Sequence, residues 1–174
     1  MKLKQSIFAL VAMLSFVFSG FAQTTVSSED ELRAALTSST GGEITLAEDV
    51  TLKENIETGN GNYTLNLNNH QIKGDFSGYV LKVGGTLTIK GDGEITGKTT
   101  ILYCKSGGTI NIEGGAIHNN SNNNVIFTVG TLNVYGGSIL STASPNRAIE
   151  GAGSGKINKM QEKWKIITFY KSGR

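Results

Sequence analysis

The sequence predicts an all-β chain wound as a right-handed, single-stranded parallel β-helix. It has about five coils, three short strands to a coil, and one short helix at its start. Three observations predict this. A motif of alternating polar and apolar residues returns about every 22 residues. Each copy is followed by a corner rich in Gly and Asn, and then by further short apolar stretches. The repeat leaves no room for a helix that crosses over a sheet, so like strand must stack on like strand.

The first element is a leader. Lys2 and Lys4 precede an apolar stretch from Ile7 to Phe18, and small residues follow at Gly20 and Ala22. That order reads as a secretory signal peptide over 1–22, cleaved between Ala22 and Gln23. The apolar stretch is shorter than the roughly 20 residues a spanning helix needs. The chain is therefore expected outside the cell or on its surface, with no transmembrane span.

Next comes a cap. Ser28 followed three residues later by Glu31 is a capping box. Leu32, Ala35 and Leu36 then share one face of a short helix over 28–37, which is expected to lid the first coil. The β-helix domain is expected to run from 23 to 158.

The repeats follow. Thr64-Leu65-Asn66-Leu67, Thr86-Leu87-Thr88-Ile89, Thr109-Ile110-Asn111-Ile112 and Thr131-Leu132-Asn133-Val134 alternate with period two. Each therefore buries one face. Glu43-Ile44-Thr45-Leu46 is a weaker first copy. The alignment places Leu65, Leu87, Ile110 and Leu132 in one column. After a Gly or Asn corner, Ile72, Ile95, Ile117 and Ile139 form a second column. A third apolar stretch, such as Tyr79 to Val83 or Val125 to Val129, closes each coil. Here Cys104 aligns with Leu81 and Phe127.

The coils fade near the end. Residues 159–174 read as a basic C-terminal tail or cap, or as the point where later coils are missing. Trp164, Ile166, Ile167, Phe169 and Tyr170 would form such a cap.

The run from Glu31 through Leu46, with Leu65-Asn66-Leu67-Asn68-Asn69-His70-Gln71-Ile72-Lys73-Gly74, resembles the start of pectate-lyase-like right-handed β-helix domains. Those domains occur in bacterial secreted and surface proteins. The Gly-Gly-Thr-Leu-Thr-Ile pattern is similar to their middle coils. The resemblance covers about residues 27–157 and implies the fold. For activity it implies a mixed group of lyases, hydrolases and adhesins.

Composition narrows the function. The chain has 16 basic and 14 acidic residues. The segment 23–155 holds 8 basic against 13 acidic residues, and 156–174 holds 6 against 1. An acidic body offers no footprint for nucleic acid. The single Cys104 excludes an intrachain disulfide framework and reads as a small buried hydrophobe.

A lyase of the kind the resemblance implies needs a base and carboxylates that hold Ca²⁺. Asp75 and Asp92 are the metal candidates, with Glu94, Lys73 and Lys90 nearby. Asp92, in a Gly-Asp-Gly turn, reads first as a turn former. His70 reads as a corner residue, His118 as outward-pointing, and Arg147 as a loop residue. No catalytic set and no cofactor is implied.

The outward positions suggest a binding face instead. Thr64 and Asn66, Thr86 and Thr88, Thr109 and Asn111, and Thr131 and Asn133 form a lattice of hydroxyls and amides. Its spacing is about 4.8 Å between coils and about 7 Å along a strand. Such a lattice suits the hydroxyls of a polysaccharide or a cell-surface glycan. It also resembles the Thr arrays of ice-binding β-helices, and it is what stable stacked sheets use. The expectation is a secreted or cell-surface, non-enzymatic module for adhesion or carbohydrate contact. The alternatives are a small or truncated polysaccharide lyase or hydrolase, a structural spacer, and an ice-binding protein acting through the same face.

Overall fold

The computed structural model describes residues 23–141, 148–153 and 155–159. The expected leader, the loop with Arg147 and the apolar cluster after Met160 lie outside the described residues.

The chain opens with β1 (Gln23–Val26), α1 (Glu29–Thr37), β2 (Gly42–Leu46), β3 (Val50–Leu52) and β4 (Ile56–Glu57). The second coil is β5 (Asn62–Asn66), β6 (His70–Gly74) and β7 (Leu81–Val83). The third is β8 (Thr86–Lys90), β9 (Gly93–Gly97) and β10 (Leu102–Cys104). The fourth is β11 (Thr109–Ile112), β12 (Ala116–Asn119) and β13 (Ile126–Thr128). The fifth is β14 (Thr131–Val134), β15 (Ser138–Ser141) and β16 (Ile149–Gly151), and β17 (Lys156–Lys159) begins a sixth.

Every pairing is parallel, and three sheets result. The first has seven strands in the order β1-β2-β5-β8-β11-β14-β17. The second runs β15-β12-β9-β6-β3 and the third β16-β13-β10-β7-β4. This is the predicted β-helix, with three strands per coil.

Alternation sends one set of side chains inward. Leu87, Ile110 and Leu132 stack in register, as do Ile72, Ile95, Ile117 and Ile139. All seven are buried, within one continuous core that also takes Leu32 and Leu36 from α1. At the corner leading into the first sheet, backbones pass too closely for a side chain. A Cβ on Gly108 would lie 2.6 Å from the Val83 carbonyl oxygen.

The register corrects two alignments. Leu65 pairs with Ile89, and Tyr63, not Leu65, pairs with Leu87. A two-residue shift keeps every side chain on its own face, so alternation alone cannot detect it. In the third sheet, Cys104 pairs with Val83 and Thr128 rather than with Leu81 and Phe127. It is fully buried, as expected.

The cap differs in detail. The Ser28 Oγ accepts from the Glu31 amide at 3.3 Å, but the Glu31 carboxylate accepts from the Ser27 amide, one residue before the cap. The preceding residues 23–26 are not a free lead-in. They form β1, which extends the first sheet beyond β2. Arg33 fastens α1 to the coil below, donating to the Asn55 carbonyl at 2.9 Å, while Glu29 of the same helix holds its guanidinium at 2.8 Å. The Tyr63 hydroxyl donates to the Ser38 carbonyl, tying the end of the helix to β5.

Candidate functional site

The outer face of the first sheet runs over all seven strands, and the expected positions lie on β5, β8, β11 and β14, with β17 above them and Glu43 of β2 beside Thr64 below. Because strands stack without offset beyond β8, outward residues fall into straight columns. One column is Thr64, Thr88, Asn111, Asn133 and Asn158. The second is Asn62, Thr86, Thr109, Thr131 and Lys156.

Sequence reading placed Thr64 with Thr86, Thr109 and Thr131. The structure places it with Thr88, Asn111 and Asn133. Asn66 moves to the margin, beside Lys90. There its Oδ1 accepts from the Asn68 amide at 3.1 Å, which holds the side chain at the corner. The other seven expected positions are brought together on one flat face, and all are half-buried.

The amides of this face are linked along the solenoid axis. Asn111 Nδ2 donates to Thr88 Oγ1 at 3.1 Å. Asn133 Nδ2 donates to Asn111 Oδ1, and Asn158 Nδ2 to Asn133 Oδ1, each at 2.8 Å. A carboxamide has two N–H donors and two acceptor lone pairs. Asn111 and Asn133 each commit one donor and one acceptor to the ladder and keep one of each. The ladder fixes their orientation, so those groups are presented at a constant spacing. Thr86, Thr109 and Thr131 take no part in these bonds.

The weak metal candidates do not converge. Asp75 lies past the end of β6 and pairs with Lys98 at 2.9 Å, and that pairing holds its carboxyl below the usual aspartate range. Asp92 lies in the corner before β9. The length of β9 separates them, roughly 16 Å of extended chain. Lys90 is tied to Glu43 at 2.7 Å.

No family model matches the chain, and no curated protein or solved structure matches it.

Two groupings were missed by sequence reading. The first is at the corner between the first and second sheets. Asp49, Asn69, His70, Gln71, Gly93, Glu94 and Ala116 line an open depression of about 410 Å³. Glu94 binds His118 at 2.9 Å and also accepts from Gln71, while Asp49 faces His70 at 3.4 Å. Glu94 and His118 are 24 residues apart and meet only because Ala116 stacks on Glu94. The second is an aromatic stack on the third sheet. Tyr79 and Tyr103 are stacked with centroids 4.8 Å apart, and Tyr103 and Phe127 are 5.7 Å apart. Rings that cover one another brace neighbouring coils, worth about 0.5–1.5 kcal/mol a pair.

Among the described residues, no helix is long and apolar enough to cross a membrane.

Proposed function

We propose that this chain is a secreted or cell-surface, non-enzymatic module that contacts a polysaccharide or cell-surface glycan through the outer face of its first sheet. The axial amide ladder carries the reading. It holds Thr88, Asn111 and Asn133 in fixed orientation while leaving each Asn a donor and an acceptor for a ligand. A face ordered before binding loses little side-chain entropy on contact. The leader-like residues 1–22 and the resemblance to pectate-lyase-like β-helix domains of bacterial surface proteins support the compartment.

The test is a triple substitution, Thr86, Thr109 and Thr131 to Lys, assayed on immobilised polysaccharides. The account expects retention by the parent chain and loss in the variant, with unchanged circular dichroism. Equal retention in both removes the face from the account. A double Asp75→Asn and Asp92→Asn chain is expected to bind like the parent.

The corner depression favours a second reading, a small polysaccharide-cleaving enzyme. It brings two carboxylates, Asp49 and Glu94, to one hollow with His70. That reading expects Glu94→Gln to abolish turnover of a polysaccharide that the parent chain cleaves.

A further inference from the structure

Resting on the polysaccharide reading, we infer that the polymer this face takes is neutral, lies across several coils, and is held with an affinity that rises with its length. From Thr64 to Asn158 in one column, and from Asn62 to Thr131 in the other, no side chain ionises. In this block the first column spans five strands, or about 19 Å along the axis, and the second four, or about 14 Å. The charges at its margins are already committed or lie at its ends. Glu43 and Lys90 pair with each other across two coils at 2.7 Å. Lys156 stands at the last row, and Glu113 on the corner beyond β11.

A uronate chain laid over such a block would bring repeated carboxylates against hydroxyls and amides with no cation to meet them along the way. Removing those charges from water would go uncompensated. A neutral chain brings hydroxyls, each both donor and acceptor, to the spare N–H and lone pair of Asn111 and Asn133. The block is also flat. The corner depression lies off it, as does a second one of about 500 Å³ between α1 and β1–β2. A single sugar therefore finds few contacts, and affinity comes from engaging successive rows at once.

The experiment is affinity electrophoresis of the full chain through gels containing a neutral β-glucan, a neutral arabinoxylan or polygalacturonate, at low and high salt. The expected result is retardation by a neutral polymer, unchanged by salt, with polygalacturonate without effect. A length series of the retained polymer's oligosaccharides should compete better as it lengthens. Thr109→Glu should weaken neutral binding about tenfold, a buried-charge penalty of modest size, and Asp75→Asn, past the end of β6 and off the face, should leave it unchanged. Salt-sensitive retardation by polygalacturonate alone would overturn the neutral class and leave glycan contact standing. Passage through all three gels without retardation would overturn both.

Discussion

Asn133 donates its side-chain amide to the carboxamide oxygen of Asn111, one coil below, at 2.8 Å. The bond runs along the solenoid axis, parallel to the backbone ladder between β11 and β14. It makes the outer face part of the scaffold and a surface at the same time.

Asn111 is the middle of this ladder, so Asn111→Ala removes two side-chain bonds and leaves Asn133 short of an acceptor. The expected loss is about 1–2 kcal/mol in urea-induced unfolding. Asn111→Thr should cost less, because Thr88 already occupies the same column.

Inside, Ile117 is sandwiched between Ile95 and Ile139 and is fully buried. Ile117→Ala should cost about 2–4 kcal/mol and Ile117→Val about 1 kcal/mol. Equal small effects would mean that the inner column is not packed as described.

These two columns differ in how far they could be read in advance. Ile72, Ile95, Ile117 and Ile139 were legible because a buried strand residue between corners has only one place to go. Leu65 was misplaced by two residues because Tyr63, Leu65 and Leu67 all point inward, and period-two patterning cannot choose among them. The strand Gln23–Val26 was not legible, since only Val26 of its four residues is buried. The Glu94–His118 pair and the Asn ladder depend on register between coils, which spacing near 22 residues fixes only to within a residue or two. The Thr/Asn lattice was legible as a face, but the commitment of Asn66 to its corner was not.

Acid should loosen the cap. Burial works to raise the Glu29 carboxyl, but hydrogen bonds from Arg33 and the Lys53 amide outweigh it and hold the group below the usual glutamate range. A carboxylate depressed in the folded state adds stability above its unfolded value. That stability is lost as pH falls through the folded value. Glu57, lowered chiefly by its hydrogen bond from Lys105 at 2.5 Å, and Asp75 act with the same sign. Melting temperature should therefore fall below about pH 4.5, the ordinary carboxylate range. Glu29→Gln should flatten that fall while lowering stability near neutrality.

Two glycines with similar backbone angles should respond differently. Gly137 has φ 80° and Gly107 has φ 82°. A Cβ on Gly137 would lie 2.5 Å from the Gly115 carbonyl oxygen, whereas one on Gly107 meets nothing within 4 Å. Gly107→Ala should cost only the left-handed strain, about 1–2 kcal/mol. Gly137→Ala should cost clearly more in the same thermal melts.

Cys104 reports on the core. Burial, outweighing hydrogen bonds around the sulfur, pushes its thiol above the usual range. The thiolate is the reactive form. A thiol reagent at neutral pH should therefore label the chain only after unfolding. Rapid labelling of the native protein would mean that the third sheet opens.

The most direct test of the central claim is backbone amide shift mapping of the full chain during titration with a neutral oligosaccharide. The account predicts shifts gathered in 62–66, 86–90, 109–112 and 131–134. Shifts confined to the corner around Asp49, His70 and Glu94, or none in the first sheet, would contradict it.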